Sequence, residues 1–308
     1  MAKRIIGIDV LRLLFSFCVV LIHVPLLGSG ALAPIYRCAV PFFYMASGYL
    51  VYTDSDLESR FLCTAKKWFV LWVKYFVILT VFSVCIHSYL KQPIDFDYQM
   101  LLEILSGQGS SRVLDVVWVK GYKCGIYVLW FLLSGCYAFL ILSVLCRYLN
   151  HKLLYILFAV FYVACISLSA MGVIVPRLFV LSLPYIVLGI FIREYQEKII
   201  FYVSMRNLIL CFIASYIEWA IWRYYGVKLE CYLLTPIFSI LILIKMIGLR
   251  TSNQIVYIIA NGGGYLFTLY LHLPSCGIYY SFSFLRRKDV AICSNYRFCN
   301  NTAVLCDN

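Results

Sequence analysis

The amino-acid sequence predicts an all-α, polytopic helical bundle integral to a membrane, with about nine to ten transmembrane helices and a cytoplasmic N-terminus. Three observations carry this. Hydrophobic residues make up 64% of the chain, charged residues only 13%, and mean hydropathy is +0.90. A soluble domain is about half apolar and about a quarter charged, so this chain has too little polar surface to cover itself in water. The apolar residues come in long runs, such as 175–192, without the period-2 alternation of a barrel strand. Backbone groups in lipid must pair internally, which leaves helices as the remaining architecture. Finally, the basic residues fall mostly between those runs.

A span needs about 20 mostly apolar residues. Candidates lie at about 5–26, 35–53, 68–90, 126–146, 152–170, 176–192, 207–225, 231–249 and 255–284. The sixth is short and flanked by proline. The ninth contains Asn261-Gly262-Gly263-Gly264, which breaks or delays a helix. Residues 91–125 are polar and glycine-containing and form the one sizeable loop. Residues 1–285 read as one membrane domain without internal repeats.

Lys and Arg set the orientation. With the N-terminus inside, Lys3, Arg4, Arg60, Lys66, Lys67, Arg147, Lys152, Arg193, Lys198, Arg206, Lys245 and Arg250 all fall on the inner side. The short outer loops carry only Arg37, Arg177, Arg223 and Lys228; the long loop adds Lys91, Arg112, Lys120 and Lys123. The tail, 286–308, departs from this pattern. Nine spans put Arg286-Arg287-Lys288 outside, and the segment is polar, with Cys293, Cys299 and Cys306. Two expectations stand for it: an aberrant or truncated C-terminus lacking a final helix, or a miscount among the nine spans.

The formal charge of +12 would suggest nucleic acid in a soluble protein. Here the basic residues serve topology and contact lipid headgroups, so membrane lipids are expected as partners and nucleic acid is not. The 14 cysteines form no CxxC pair, and most stand singly inside apolar runs. They read as small buried hydrophobes rather than disulfides, and no metal site is expected.

Ionisable groups at membrane depth are expensive and are therefore functional candidates. Four stand out: Arg12 and His23 in the first run, Glu218 in the seventh and His272 in the ninth. Eleven residues separate Arg12 from His23. At 100° per residue this is about 20° past three full turns, so both lie on one helix face, ~16 Å apart along the axis. Asp9, one turn before Arg12, is placed to pair with it. An imidazole can take a proton from a hydroxyl, and a guanidinium can hold a phosphate or carboxylate. Group transfer from an anionic donor to an alcohol is one reading. The other is that Arg12 snorkels to the inner interface and His23 marks the outer one.

Residues 7–25, GIDVLRLLFSFCVVLIHVP, followed by residues 39–51, AVPFFYMASGYLV, resemble the start of the membrane acyltransferase-3 family, the O-acetyltransferases of bacterial surface polysaccharides. That family shows an Arg, ten residues, then a His in its first helix, the spacing of Arg12 and His23. Its following apolar stretch ends in a Phe-Ser-Gly-Phe-like motif, matched here by Ser47-Gly48-Tyr49 after Pro41-Phe42-Phe43. Leu129-Trp130-Phe131-Leu132, Leu183-Pro184-Tyr185 with Leu188-Gly189, and Tyr270-Leu271-His272-Leu273-Pro274 are similar to later family motifs, in order.

The resemblance implies a ten-helix domain in a bacterial cytoplasmic (inner) membrane. It implies transfer of an acyl group, acetyl by family frequency, from cytoplasmic acyl-CoA to a hydroxyl of a cell-surface polysaccharide or lipid-linked glycan. Acetyl-CoA is then a co-substrate, and no bound cofactor is implied. His23 would activate the acceptor hydroxyl and Arg12 would bind the donor. Glu218 would orient or charge-balance His23, or else form a salt bridge with Arg223 or with another helix. Asp9, Ser47 and His272 are the further candidates, His272 chiefly as a packing or interfacial residue. Two other readings stand beside this one: a polytopic transporter or flippase of a glycan precursor, and an inactive, truncated acyltransferase.

Overall fold

The computed structural model describes residues 5–23, 33–52, 56–89, 105, 118–119, 122–123, 129–173, 175, 178–226 and 232–248. The span predicted at 255–284, with His272, and the tail at 286–308 lie outside the described residues. The helices are α1 (Ile6–His23), α2 (Ala33–Arg37), α3 (Ala39–Val51), α4 (Leu57–Tyr89), α5 (Trp130–Tyr148), α6 (His151–Ala170), α7 (Leu183–Ile199), α8 (Met205–Tyr224) and α9 (Thr235–Ile247). Strand pairing among the described residues is one two-residue antiparallel ladder, Trp118–Val119 with Tyr122–Lys123, within the long loop.

Local chemistry sets several of these ends. The Asn150 side chain accepts from the Leu153 N–H at 2.8 Å and starts α6. Ser204 accepts from the Asn207 N–H at 3.1 Å and starts α8. Each satisfies one of the orphan donors of a helix start. Gly172 and Gly226, at φ 84° and 73°, follow the ends of these same helices in the left-handed conformation that glycine adopts without a Cβ penalty.

The sixth predicted span is built differently from a plain helix. A π-helical turn, Leu178–Ser182, runs directly into α7. Pro184, in the first turn of α7, has no N–H to give, and its ring crowds the carbonyl four residues back, so the turn before it widens. The Ser182 hydroxyl donates to the Leu178 carbonyl at 2.9 Å, and Ser134 of α5 lies 2.9 Å from the Ser182 oxygen. Helix α4 is longer than predicted. It starts at Leu57, before the span at 68–90, and its 33 residues extend ~50 Å.

Helix α3 is buried nearly all round, through Ala39, Phe42, Tyr44, Met45, Ala46 and Tyr49, and packs against α1 and α7. Helices α4 and α5 pack along each other, with Phe61 against Phe139 and Trp68 over Gly135. The outer faces are apolar. Helix α6 exposes Leu153, Ile156, Val160, Val163 and Leu168, and α8 exposes Ile209, Leu210, Ile213, Ile217 and Ile221. Contiguous apolar surface on this scale marks a surface that water does not cover. Among the described residues, α5 and α6 are each long and apolar enough to cross a bilayer. The segments Leu183–Tyr202 and Met205–Tyr224 meet the same criterion as a pair bent by 104°. The chain is an all-α membrane protein.

Side-chain contacts tie the helices together at their ends. At one end, Arg147 pairs with Glu58, His151 lies 3.3 Å from Glu194, and the Tyr49 hydroxyl donates to Gln196 at 2.7 Å. The start of α1 meets the end of α9 there, at Gly7 and Met246. At the other end, Arg37 lies over the Tyr232 ring at 5.3 Å, and Tyr162 donates to the Tyr232 carbonyl at 3.0 Å.

Candidate active site

Helix α1 is continuous from Ile6 to His23, so Arg12 and His23 share one register. Ile8, Leu11, Phe15, Ser16 and Val19 are buried on the same side. Asp9 and Arg12 form the ion pair expected from their spacing, 3.2 Å from Nη1 to Oδ1, with side chains 15% and 35% exposed. The carboxylate neutralises the guanidinium in part, and among the described residues the other N–H donors of Arg12 have no side-chain partner. His23 is the last residue of α1; its side chain lies outside the described residues.

Glu218, on α8, accepts two backbone hydrogen bonds, from the Leu233 N–H at 2.7 Å and the Leu234 N–H at 2.8 Å. Each carboxylate oxygen takes one. These N–H groups directly precede α9, so the negative charge sits at the positive end of that helix. Arg223 instead lies over the Trp219 ring at 5.2 Å. Since the start of α1 meets the end of α9, the end of α1 and the start of α9 point toward the same end of the bundle. Glu218 is therefore held at the end toward which α1 delivers His23. Ser47 donates to the Phe43 carbonyl of its own helix at 2.8 Å, and its neighbour Gly48 makes the interhelical contact.

Among the described residues, the α3, α5 and α7 motifs that carry the resemblance meet one another in space. A Cβ on Gly48 would lie 2.1 Å from the Ile186 carbonyl oxygen, and one on Gly189 would lie 2.0 Å from that of Met45. The Ser47-Gly48-Tyr49 and Leu188-Gly189 motifs are thus the two sides of one close crossing of α3 and α7. Tyr44 donates to the Phe131 carbonyl at 2.9 Å, with ring centroids 4.5 Å apart, and so joins α3 to the Trp130-Phe131 motif. Tyr185 of the Leu183-Pro184-Tyr185 motif lies 3.1 Å, oxygen to oxygen, from Tyr162.

Two polar groupings have no counterpart in the sequence reading. Tyr49 is buried; its hydroxyl donates to Gln196 and accepts from Arg193 Nη1 at 2.9 Å. Glu194 accepts from the Tyr155 hydroxyl at 2.5 Å and faces His151. It lies just past the span predicted at 176–192. Partial burial raises its carboxyl, but hydrogen bonds from Tyr155, Tyr195 and His151 outweigh this and hold it below the ordinary range. The partners are far apart in sequence, and Arg193 gave only a topology signal. A cavity of about 460 Å³ lies between α6, α7 and α9, walled by Phe158, Tyr162, Tyr185, Leu188 and Ile237 among others. Its lining is apolar, and among the described residues none from α1 contributes to it.

The family Acyl_transf_3, described as an acyltransferase domain, matches residues 5–291. No curated protein and no solved structure matches the chain. A match over nearly the whole length, through the helix that carries Arg12 and His23, places this membrane protein in the Acyl_transf_3 family of acyltransferases.

Proposed function

We propose that the protein is a multi-pass O-acyltransferase of a bacterial inner membrane. It takes an acyl group, here assigned as acetyl, from cytoplasmic acyl-CoA and passes it to a hydroxyl of a cell-surface polysaccharide or lipid-linked sugar. The observation that carries the reading is the unbroken helix Ile6–His23, which holds a cation and an imidazole-bearing residue ~16 Å apart in one register. Acyl-CoA has its phosphates at one end and its thioester at the other, joined by a neutral, extended arm. That layout suits a cation and a base separated along one helix.

In this reading His23 accepts the proton of the acceptor hydroxyl as its oxygen attacks the thioester carbonyl. The tetrahedral intermediate collapses, the carbon–sulfur bond breaks, and the proton passes from His23 to the departing thiolate. Arg12 holds an anionic group of the donor, with Asp9 fixing its guanidinium. Glu218 is a positioning residue that acts through the start of α9. The orientation rests on the distribution of Lys and Arg. It is supported by the Glu58–Arg147, His151–Glu194 and Tyr49–Gln196 contacts, which join segments assigned to the cytoplasmic side. The test is His23→Ala in cells supplied with labelled acetyl donor. Transfer to membrane glycans is expected to vanish at unchanged protein level, and persistent transfer would remove His23 from the mechanism.

A further inference from the structure

We propose that Arg193 is a phosphate-binding residue, held ready by Tyr49 at the end of the bundle assigned to the cytoplasm. Arg193 is the first charged residue after the apolar stretch of α7, and it is exposed. An exposed arginine ordinarily samples many rotamers and loses side-chain entropy when one is selected. Here the selection is already made. Arg193 Nη1 donates to the Tyr49 hydroxyl at 2.9 Å, and its guanidinium carbon lies 5.1 Å from the centroid of the same ring. Tyr49 is itself immobilised, since it is 2% exposed and donates to Gln196 one turn along α7.

The charge of this guanidinium is oriented but not neutralised. Its partner is a neutral phenol, and among the described residues no carboxylate lies within ion-pair distance of it. The adjacent Glu194 is turned to His151 and Tyr155 of α6, and Glu58 is taken by Arg147. The remaining N–H donors form the planar fork that matches phosphate oxygens. Phosphate is the anion that this end of the bundle meets. It comes from two sources, the phosphates of the acyl-CoA donor and the headgroups of anionic lipids. Only the donor source rests on the acyltransferase reading.

The test uses the purified full-length chain and two probes. Adenosine 3′,5′-bisphosphate, the phosphate end of the donor without its thioester, is titrated against the protein. Thermal stability is measured in nanodiscs of phosphatidylglycerol against phosphatidylcholine. Arg193→Gln is expected to weaken the bisphosphate at least about tenfold, or to abolish the gain from phosphatidylglycerol, because it removes a charge-assisted contact. The first result names the donor as source and the second the lipid. Tyr49→Phe and Arg193→Lys keep the positive charge but lose its positioning or its fork, and are expected to fall between wild type and Arg193→Gln. Unchanged response to both probes in Arg193→Gln overturns the proposal. Should that variant not fold, an unchanged response in both other variants overturns it equally. Binding is read without turnover, so this inference and the His23 mechanism can each fail alone.

Discussion

Gly48 of α3 rests against the backbone carbonyl of Ile186 on α7, so closely that a Cβ at Gly48 would stand 2.1 Å from that oxygen. Gly189 makes the reciprocal approach to Met45. Helices in lipid gain little from burying apolar side chains against one another and depend on close packing instead. Here the obstructing atoms are backbone, which cannot swing aside. Gly48→Ala and Gly189→Ala are each expected to destabilise the protein by about 1–3 kcal/mol, measured as a lowered Tm in detergent. An unchanged Tm in both would show that the crossing tolerates a wider separation.

Glu218 is expected to matter first through α9. Replacing it by alanine leaves the Leu233 and Leu234 N–H groups without their charged acceptor, at a cost of about 1–3 kcal/mol. Glu218→Gln keeps one accepting oxygen and should retain part of that stability. Acyl transfer in Glu218→Gln should then follow the amount of folded protein. A variant with wild-type Tm and no transfer would instead give Glu218 a direct part in the chemistry.

Glu194 links α6 to α7 in a pH-dependent way. Its native carboxyl lies below the ordinary range, so the unfolded chain binds the proton more readily than the folded one. The stability it contributes is present at neutral pH and is lost as pH falls through the native value. Wild type should therefore be more stable than Glu194→Gln at pH 7, with the gap closing below about pH 4. Melting curves of both proteins between neutral and acid pH check this; a gap that persists in acid would contradict it.

In the proposed mechanism Arg12 binds the donor and takes no part in the proton transfer, so its replacement tests binding apart from chemistry. Arg12→Gln is expected to raise the KM for acetyl-CoA by about tenfold, the loss of one charge-assisted contact. Asp9→Asn leaves the cation in place and removes only the partner that orients it, so its KM should rise less. Equal donor KM in wild type and Arg12→Gln would sink the donor-binding role.

The membrane class, the helical architecture and the approximate position of the longer described helices were legible in the sequence, whereas the short α2 before α3 was not. Transfer of a side chain into lipid is a local, additive property, and it accumulates along the chain where it can be read. The same holds for the Asp9–Arg12 pair and the shared register of Arg12 and His23, because a helix fixes neighbours three to eleven residues apart. The early start of α4 and the π turn before α7 were not legible, since the first extends into polar sequence and the second depends on how Pro184 is accommodated. Tertiary structure alone decided the partners across helices. Glu218 found the start of α9 and not Arg223, Tyr49 found Arg193 across 144 positions, and the glycine motifs of α3 and α7 turned out to be one contact. Which helices cross, and at what distance, follows from how closely their backbones can approach, and no local run of residues encodes that.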